Sequence, residues 1–252
     1  MEDHRPIVLE KFNKLGSETV ELLRRLDQLK QMAKRLLIEE VTNELSPPDQ
    51  LVEQALMNHC QKEQLSNEEA LNRWLSEHFL TRNELINQVS LPIKLNKLAL
   101  DNFTPKAEAR FLQRKESLDQ YTYRLLRVSD SGIAHELYLQ IEAGEEGFET
   151  LATKYSEGPE QRNGGKVGPA ALINTHPQLR EKLRCASPGV INEPVLIEKW
   201  WVVMRLEESI EASFDEAMRE RMASELLQEW INEETNEVVK TIISSKNEKG
   251  LT

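Results

Sequence analysis

Apolar residues recur at helical spacing through the first hundred positions of the chain. Val20, Leu23, Leu26, Leu29, Ala33, Leu36, Leu37 and Val41 stand three and four apart, which predicts one long amphipathic helix. Ser17 is its expected N-cap, with Glu18 and Glu21 near the positive end of the dipole, and Ser46-Pro47-Pro48-Asp49 stops it. Leu51, Val52, Ala55 and Leu56 predict a second helix. Ser66-Asn67-Glu68-Glu69 has the form of a capping box and opens a helix with Leu71, Trp74, Leu75 and Phe79. Thr81-Arg82-Asn83-Glu84 opens another through Leu85, Ile86 and Val89, which Pro92 breaks or kinks. Thr104-Pro105 reads as a fresh start with proline at the first helical position, leading through Ala109, Phe111 and Leu112. Ahead of all these, the segment around Ile7-Val8-Leu9 is weakly patterned and reads as a short strand or an arm.

The pattern changes near position 120. Tyr121 to Val128 is rich in aromatic and aliphatic residues and reads as a strand, followed by a turn at Ser129-Asp130-Ser131-Gly132 and a helix from Ile133 to Ala143. Phe148, Leu151, Ala152 and Tyr155 lie on one helical face that ends at Ser156. A polar loop with Gly158-Pro159 leads to Gly164-Gly165-Lys166-Val167-Gly168. Those glycines are no phosphate cradle, since neither the hydroxyl nor the helix start of a P-loop follows them. His176 to Cys185 is a short helix, and Glu193–Ile197 and Trp200–Leu206 are strands joined at Glu198-Lys199. Ser213-Phe214-Asp215-Glu216 opens a last helix with an apolar face running to about Ile243, and the tail beyond reads as frayed. The fold class is therefore α+β. An all-helical layer spans 1–117, a small sheet domain spans 118–208, and a C-terminal helix occupies 209–252.

Composition narrows the function. The 252-residue chain is 30% charged and carries a formal net charge of −11, so it is unsuited to nucleic acid, which requires clustered cations. The short basic pairs Arg24-Arg25 and Lys34-Arg35 stand among glutamates and read as solvated helix faces. Cys60 and Cys185 are far apart and form no CxxC, which excludes a zinc motif and leaves two reduced thiols. No run approaches the length of a membrane span, and the N-terminus lacks the form of a secretory signal, so the expected location is the cytoplasm. The Leu-rich face of the first helix either packs within the chain or pairs with a partner.

Four ordered blocks from Leu118 to Glu208 resemble the parvulin type of peptidyl-prolyl isomerase. They are the strand Tyr121–Val128; Phe148-x-x-Leu151-Ala152-x-x-Tyr155-Ser156; Gly164-Gly165-Lys166-Val167-Gly168; and Ser187-Pro188-Gly189-Val190-Ile191-Asn192-Glu193-Pro194-Val195 with the last strand. In the helical region, Leu65-Ser66-Asn67-Glu68-Glu69 and Thr81-Arg82-Asn83-Glu84-Leu85 resemble SurA-like chaperones. The resemblance implies a small antiparallel four-stranded sheet flanked by helices and inserted between helical parts, with the C-terminal helix returning to the N-terminal layer.

It also implies a site: two strand histidines, a Cys or Asp after the Tyr-Ser helix, and apolar residues around a proline ring. Carried over position by position, the first-strand histidine falls at Arg124 and the acid or thiol at Gly158. Lys166 and Val167 occupy the glycine loop, Leu179 the following helix, and Trp201 or Val202 the last-strand histidine. The apolar half is kept and the polar half is replaced. His135 and His176 read as a helix-surface residue and a helix cap. Two functions follow from the resemblance, both without a cofactor. One is an isomerase acting on X-Pro bonds of polypeptides with weak or altered activity. The other is a chaperone or escort that binds unfolded or secretion-bound chains without catalysis.

Overall fold

The computed structural model describes residues 3–249 and divides into two compact units. One comprises the chain up to Arg110 together with the segment from Asp215 onward; the other is Phe111–Phe214. These divisions lie outside the 118–208 range drawn from the sequence pattern.

In the helical unit, α1 (Arg5–Lys14) replaces the expected strand or arm. Pro6 stands in its first turn, where a missing N–H costs nothing, and Val8 and Phe12, one turn apart, are buried. The long helix expected from Ser17 is two helices, α2 (Ser17–Arg25) and α3 (Leu29–Thr42). Asp27 between them adopts φ +56°, a left-handed conformation that no continuous helix contains. Two further helices follow, α4 (Asp49–Lys62) and α5 (Glu68–Glu77), the latter capped by Asn67, whose side chain accepts from the Ala70 N–H at 2.8 Å. α6 (Arg82–Leu118) opens on the Thr81–Glu84 box, with Glu84 accepting from both the N–H and the hydroxyl of Thr81 at 2.7 Å.

α6 runs on through Pro92, where a break or kink is expected, and through Pro105, where a new helix is expected to start. Thr104 does not cap a new helix; its hydroxyl donates back to the Leu100 carbonyl at 2.6 Å. After the second unit, α10 (Glu216–Lys249) starts at Asp215, which accepts from the Met218 N–H, and continues past the expected end near Ile243. Residues 250–252 of the expected tail lie outside the described residues. One core joins α1, α2, α3, α6 and α10 through Val8, Phe12, Val20, Leu37, Phe103, Leu227, Ile231 and Val238. Among the described residues no helix is long and apolar enough to cross a membrane.

The second unit holds a four-stranded antiparallel sheet in the order β2-β1-β4-β3. Its strands are β1 (Gln120–Val128), β2 (Lys166–Ala170), β3 (Ile191–Ile197) and β4 (Trp200–Ile210). Three helices accompany it: α7 (Ser131–Glu142), α8 (Phe148–Tyr155) and α9 (Pro177–Cys185). Both faces are covered. Leu126, Val128 and Val203 pack with Ala134 and Leu137 of α7 and Phe148, Leu151 and Ala152 of α8. Tyr123, Leu125, Val202, Met204 and Leu206 pack with Leu179 and Leu183 of α9 and with Leu172. Because side chains alternate along a strand, this division fixes which residues reach the cleft on the α9 face.

Candidate functional site

The α9 face of the sheet does not close completely. A cleft of roughly 640 Å³ opens between β1, the glycine loop and the start of α9. Its floor is Tyr123, Leu125 and Val202, all buried, with Ile197 and Trp200 at the β3–β4 turn. Val167 and Gly168 form one wall, and Leu179 with His176 the other. Most of this lining is apolar, as a slot for a compact hydrophobic ring requires.

Asn163, Lys166, Asn174, Thr175, His176 and Glu198 add polar groups to the lining, and a buried ion pair stands at the rim. Arg127, on the same face of β1 as Tyr123 and Leu125, makes a two-pronged bond to Glu160, from Nε to Oε1 at 2.9 Å and from Nη2 to Oε2 at 2.8 Å. The Glu160 side chain is only 3% exposed, and Ser156 Oγ donates to its Oε1 at 2.7 Å. Ser156 in turn accepts from the Arg127 N–H at 3.1 Å. The tyrosine-serine helix end, β1 and the short 3-10 turn Pro159–Asn163 are thus tied by one carboxylate.

Gly158 is accounted for by the same pair. Its backbone is ordinary, with φ −104°, but a Cβ there would fall 2.3 Å from Glu160 Oε2 and 2.4 Å from Arg127 Nε. The space that an acid or thiol at this position would occupy is already filled by a salt bridge.

The expected site residues divide accordingly. Lys166, Val167 and Leu179 come together in the cleft, Lys166 with its side chain exposed. Gly158 adjoins the Arg127–Glu160 pair. Arg124 does not join them. It lies on the opposite side of β1, donating to the Gly164 carbonyl at 2.8 Å and pairing with Glu149 and Glu207. Trp201 is also turned away, packed beside the α7–α8 core with the His135 ring 6.0 Å distant, centroid to centroid. In both strands the neighbour of opposite parity reaches the cleft: Tyr123 in β1 and Val202 in β4. His176 caps α9, its ring accepting from the Gln178 N–H, and also lines the cleft, with Glu198 at 3.9 Å. The Arg127–Glu160 pair, Tyr123 and Trp200 were not among the residues singled out from sequence.

Burial pushes the Tyr123 phenol above the usual tyrosine range, partly opposed by a hydrogen bond with Thr175. A folded-state value above the unfolded one adds stability that is complete below about pH 10 and disappears as pH rises through the folded value. We therefore expect stability to fall above about pH 10, and Tyr123→Phe to flatten that fall relative to the parent. Urea unfolding at pH 9 and pH 11 for both proteins checks this; equal losses in the two would show that Tyr123 does not carry it. Tyr138, raised to about 12 by its hydrogen bond to Glu142, is common to both proteins and cancels in the comparison.

With this geometry established, comparison with known proteins identifies the class. Residues 129–208 match the Rotamase family model, the PPIC-type PPIase domain, so the second unit carries a parvulin-type domain. Part of the chain is similar to curated SurA chaperones. It is 38% identical over 69 residues to the chaperone SurA of Colwellia psychrerythraea, covering 27% of this chain and 16% of that one. It is 33% identical over 111 residues to SurA of Shewanella sp. strain MR-7, covering 40% and 25%. The matched stretches are thus a quarter or less of those relatives' length. Among solved structures it is similar to the peptidylprolyl isomerase PrsA of Bacillus cereus, with 18% identity, a TM-score of 0.49, and coverage of 92% of this chain and 86% of that one. It is also similar to a structure reported for the SurA-like chaperones PEB4 and Cj1289 of Campylobacter jejuni, with 16% identity, a TM-score of 0.39, and coverage of 92% and 94%.

Proposed function

We propose that this protein is a foldase of the PPIC type that takes X-Pro segments of unfolded polypeptides into the Tyr123–Val167–Leu179–Val202 cleft and speeds their cis–trans exchange. The observation that carries this reading is an apolar slot on the sheet face of a rotamase domain, with a fixed guanidinium at its rim. Rotation about a peptide bond faces a barrier of about 18–20 kcal/mol because resonance must be lost. No bond need be made or broken. An apolar slot grips the proline ring and strips water from the amide, which favours the less polar twisted form. Arg127 keeps Nη1 outside its fork with Glu160, a donor that a substrate carbonyl at the rim can meet.

The second reading is a holding chaperone that uses the same cleft for grip alone. Tyr123 and Val202, which face the cleft from β1 and β4, cannot provide the two strand histidines of the parvulin type, and this favours binding without acceleration.

Exchange rates of short X-Pro peptides by NMR, with several residues before the proline, separate the two. Acceleration above the uncatalysed rate supports the first reading; binding at the cleft with no acceleration supports the second; neither binding nor acceleration defeats both. Val167→Asp places a carboxylate on a half-buried apolar wall, and we expect it to weaken peptide binding by about tenfold or more, the equivalent of ~1.4 kcal/mol of lost apolar contact. Trp201→Ala, on the other face, should leave peptide affinity unchanged.

A further inference from the structure

A second hollow lies beside the cleft, and nothing described so far uses it. It has a volume of roughly 600 Å³ and runs between α9 and the outer edge of the sheet. Pro177, Gln178, Glu181, Lys182 and Cys185 line it from α9, and Val195 lines it from β3. β3 is an edge strand, paired among the described residues with β4 alone. Ile197 and Trp200 are partners across the two-residue turn Glu198-Lys199, and Glu198 has φ +55°, as such turns demand. Residues flanking a two-residue turn form a hydrogen-bonded pair, so Ile197 and Val195 direct their backbone groups at β4. The N–H and C=O of Leu196 then point away from the sheet, while Glu193 and Pro194 fall where the register slips between Asn192 and Val195. Proline at 194 conforms, since an edge strand tolerates it at a bulge.

We propose that the β3 edge and the α9 groove together form a second binding subsite, which takes an extended stretch of the same polypeptide whose X-Pro bond occupies the cleft, by adding it as a strand to β3. This rests on the prolyl reading of the cleft. Continuity argues for that occupant. Ile197 lines the cleft, and Val195, two residues back on the same side of the same strand, lines the groove. His176 and Pro177 divide between the two hollows in the same way at the start of α9. A chain leaving the cleft past His176 and Ile197 therefore meets unpaired backbone at once. Main-chain pairing is indifferent to sequence, as a binder of varied unfolded chains requires, and a groove on one side selects for apolar residues at every second position. Leu196 and Val190, 48% and 57% exposed, offer apolar contact beside the added strand.

The test uses the full chain, isotope-labelled, and four kinds of peptide followed by NMR. The first is a four-residue X-Pro peptide; the second carries six-residue flanks of alternating Val and Thr on both sides of the proline. The third has every second flank residue N-methylated, in each of the two registers. The fourth is the flanked peptide with Pro→Ala. We expect the flanked peptide to bind at least about tenfold tighter than the short one, to shift the amides of Ile191–Ile197 and of Gln178 to Cys185, and to lose that gain when one N-methyl register removes its ladder donors. No shift in β3 with any flanked peptide, or a gain that survives both N-methyl registers, overturns the proposal. The Pro→Ala peptide keeps the two readings apart. If it shifts β3 while the short peptide leaves Val167 and Val202 unmoved, the edge subsite stands and the prolyl cleft falls.

Discussion

Glu160→Ala is expected to destabilise the second unit by about 2–4 kcal/mol. Breaking a fully buried ion pair by removing one partner costs about 3–5 kcal/mol, because the remaining charge stays desolvated. Arg127 keeps 29% of its side chain in water, which lowers the figure. The loss also releases Ser156, whose hydroxyl donates to the same carboxylate, and so loosens the junction of α8, β1 and the 3-10 turn. Urea unfolding, with hydrogen exchange to assign the loss to the second unit, provides the measurement. A change under about 0.5 kcal/mol, the size usual for an exposed pair, would show that the carboxylate is not holding the rim together.

A companion substitution separates charge from space. Gly158→Asp alone should destabilise, since its Cβ meets Glu160 and Arg127 inside 2.5 Å. Combined with Glu160→Ala it should cost less than the sum of the two, because the new carboxylate takes the vacated place beside the guanidinium. Contacting residues show interaction energies of about 0.5–3 kcal/mol in such cycles. Strict additivity would mean that the two positions do not share one pocket. If the double variant also changes X-Pro exchange, the rim charge has a part in the reaction as well as in the fold.

What was legible in the sequence, and what was not, follows from how many faces of each element are buried. The α+β class and the order of strands and helices are visible because α8, α9 and the glycine loop carry turn residues and one-sided apolar patterns. Side-chain parity in the sheet is invisible. Trp200-Trp201-Val202-Val203-Met204 is apolar throughout because helices cover both faces, and a continuous apolar run shows no period from which to choose between Trp201 and Val202. The same holds for Tyr123-Arg124-Leu125-Leu126 in β1, where the arginine is on the far face and a tyrosine reaches the cleft. The Arg127–Glu160 pair spans thirty-three positions and has no local signal. Proline misled in the opposite direction. Pro92 reads as a break or kink and Pro105 as the first position of a new helix, yet α6 carries both. The break that does occur, at Asp27, is a left-handed residue with neither proline nor glycine to announce it.

Gly168→Ala is expected to cost about 3 kcal/mol or more, through the backbone rather than through lost contacts. Gly168 has φ +100°, outside the range that a residue with a Cβ adopts without strain. A Cβ at this position would lie 2.2 Å from the Tyr121 carbonyl oxygen and 3.1 Å from Thr122 Cα. Both are main-chain atoms of β1 and cannot rotate aside. The pairing of β1 with β2 is irregular here: Tyr121 faces Ala170 and Tyr123 faces Val167, so Gly168 and Pro169 are accommodated opposite Thr122 alone. Relief requires β2 to draw away from β1, and β2 carries the Val167 wall of the cleft. Stability and peptide affinity should therefore fall together, with faster amide exchange confined first to β1 and β2. Gly147→Ala is the control. Its φ is −76° and its nearest neighbour would be Thr150 Oγ1 at 3.7 Å, so only the modest loss of a glycine N-cap, about 1 kcal/mol or less, is expected. Should the two substitutions prove equally mild, the close approach of the glycine loop to β1 would be refuted, and with it the wall that shapes the slot.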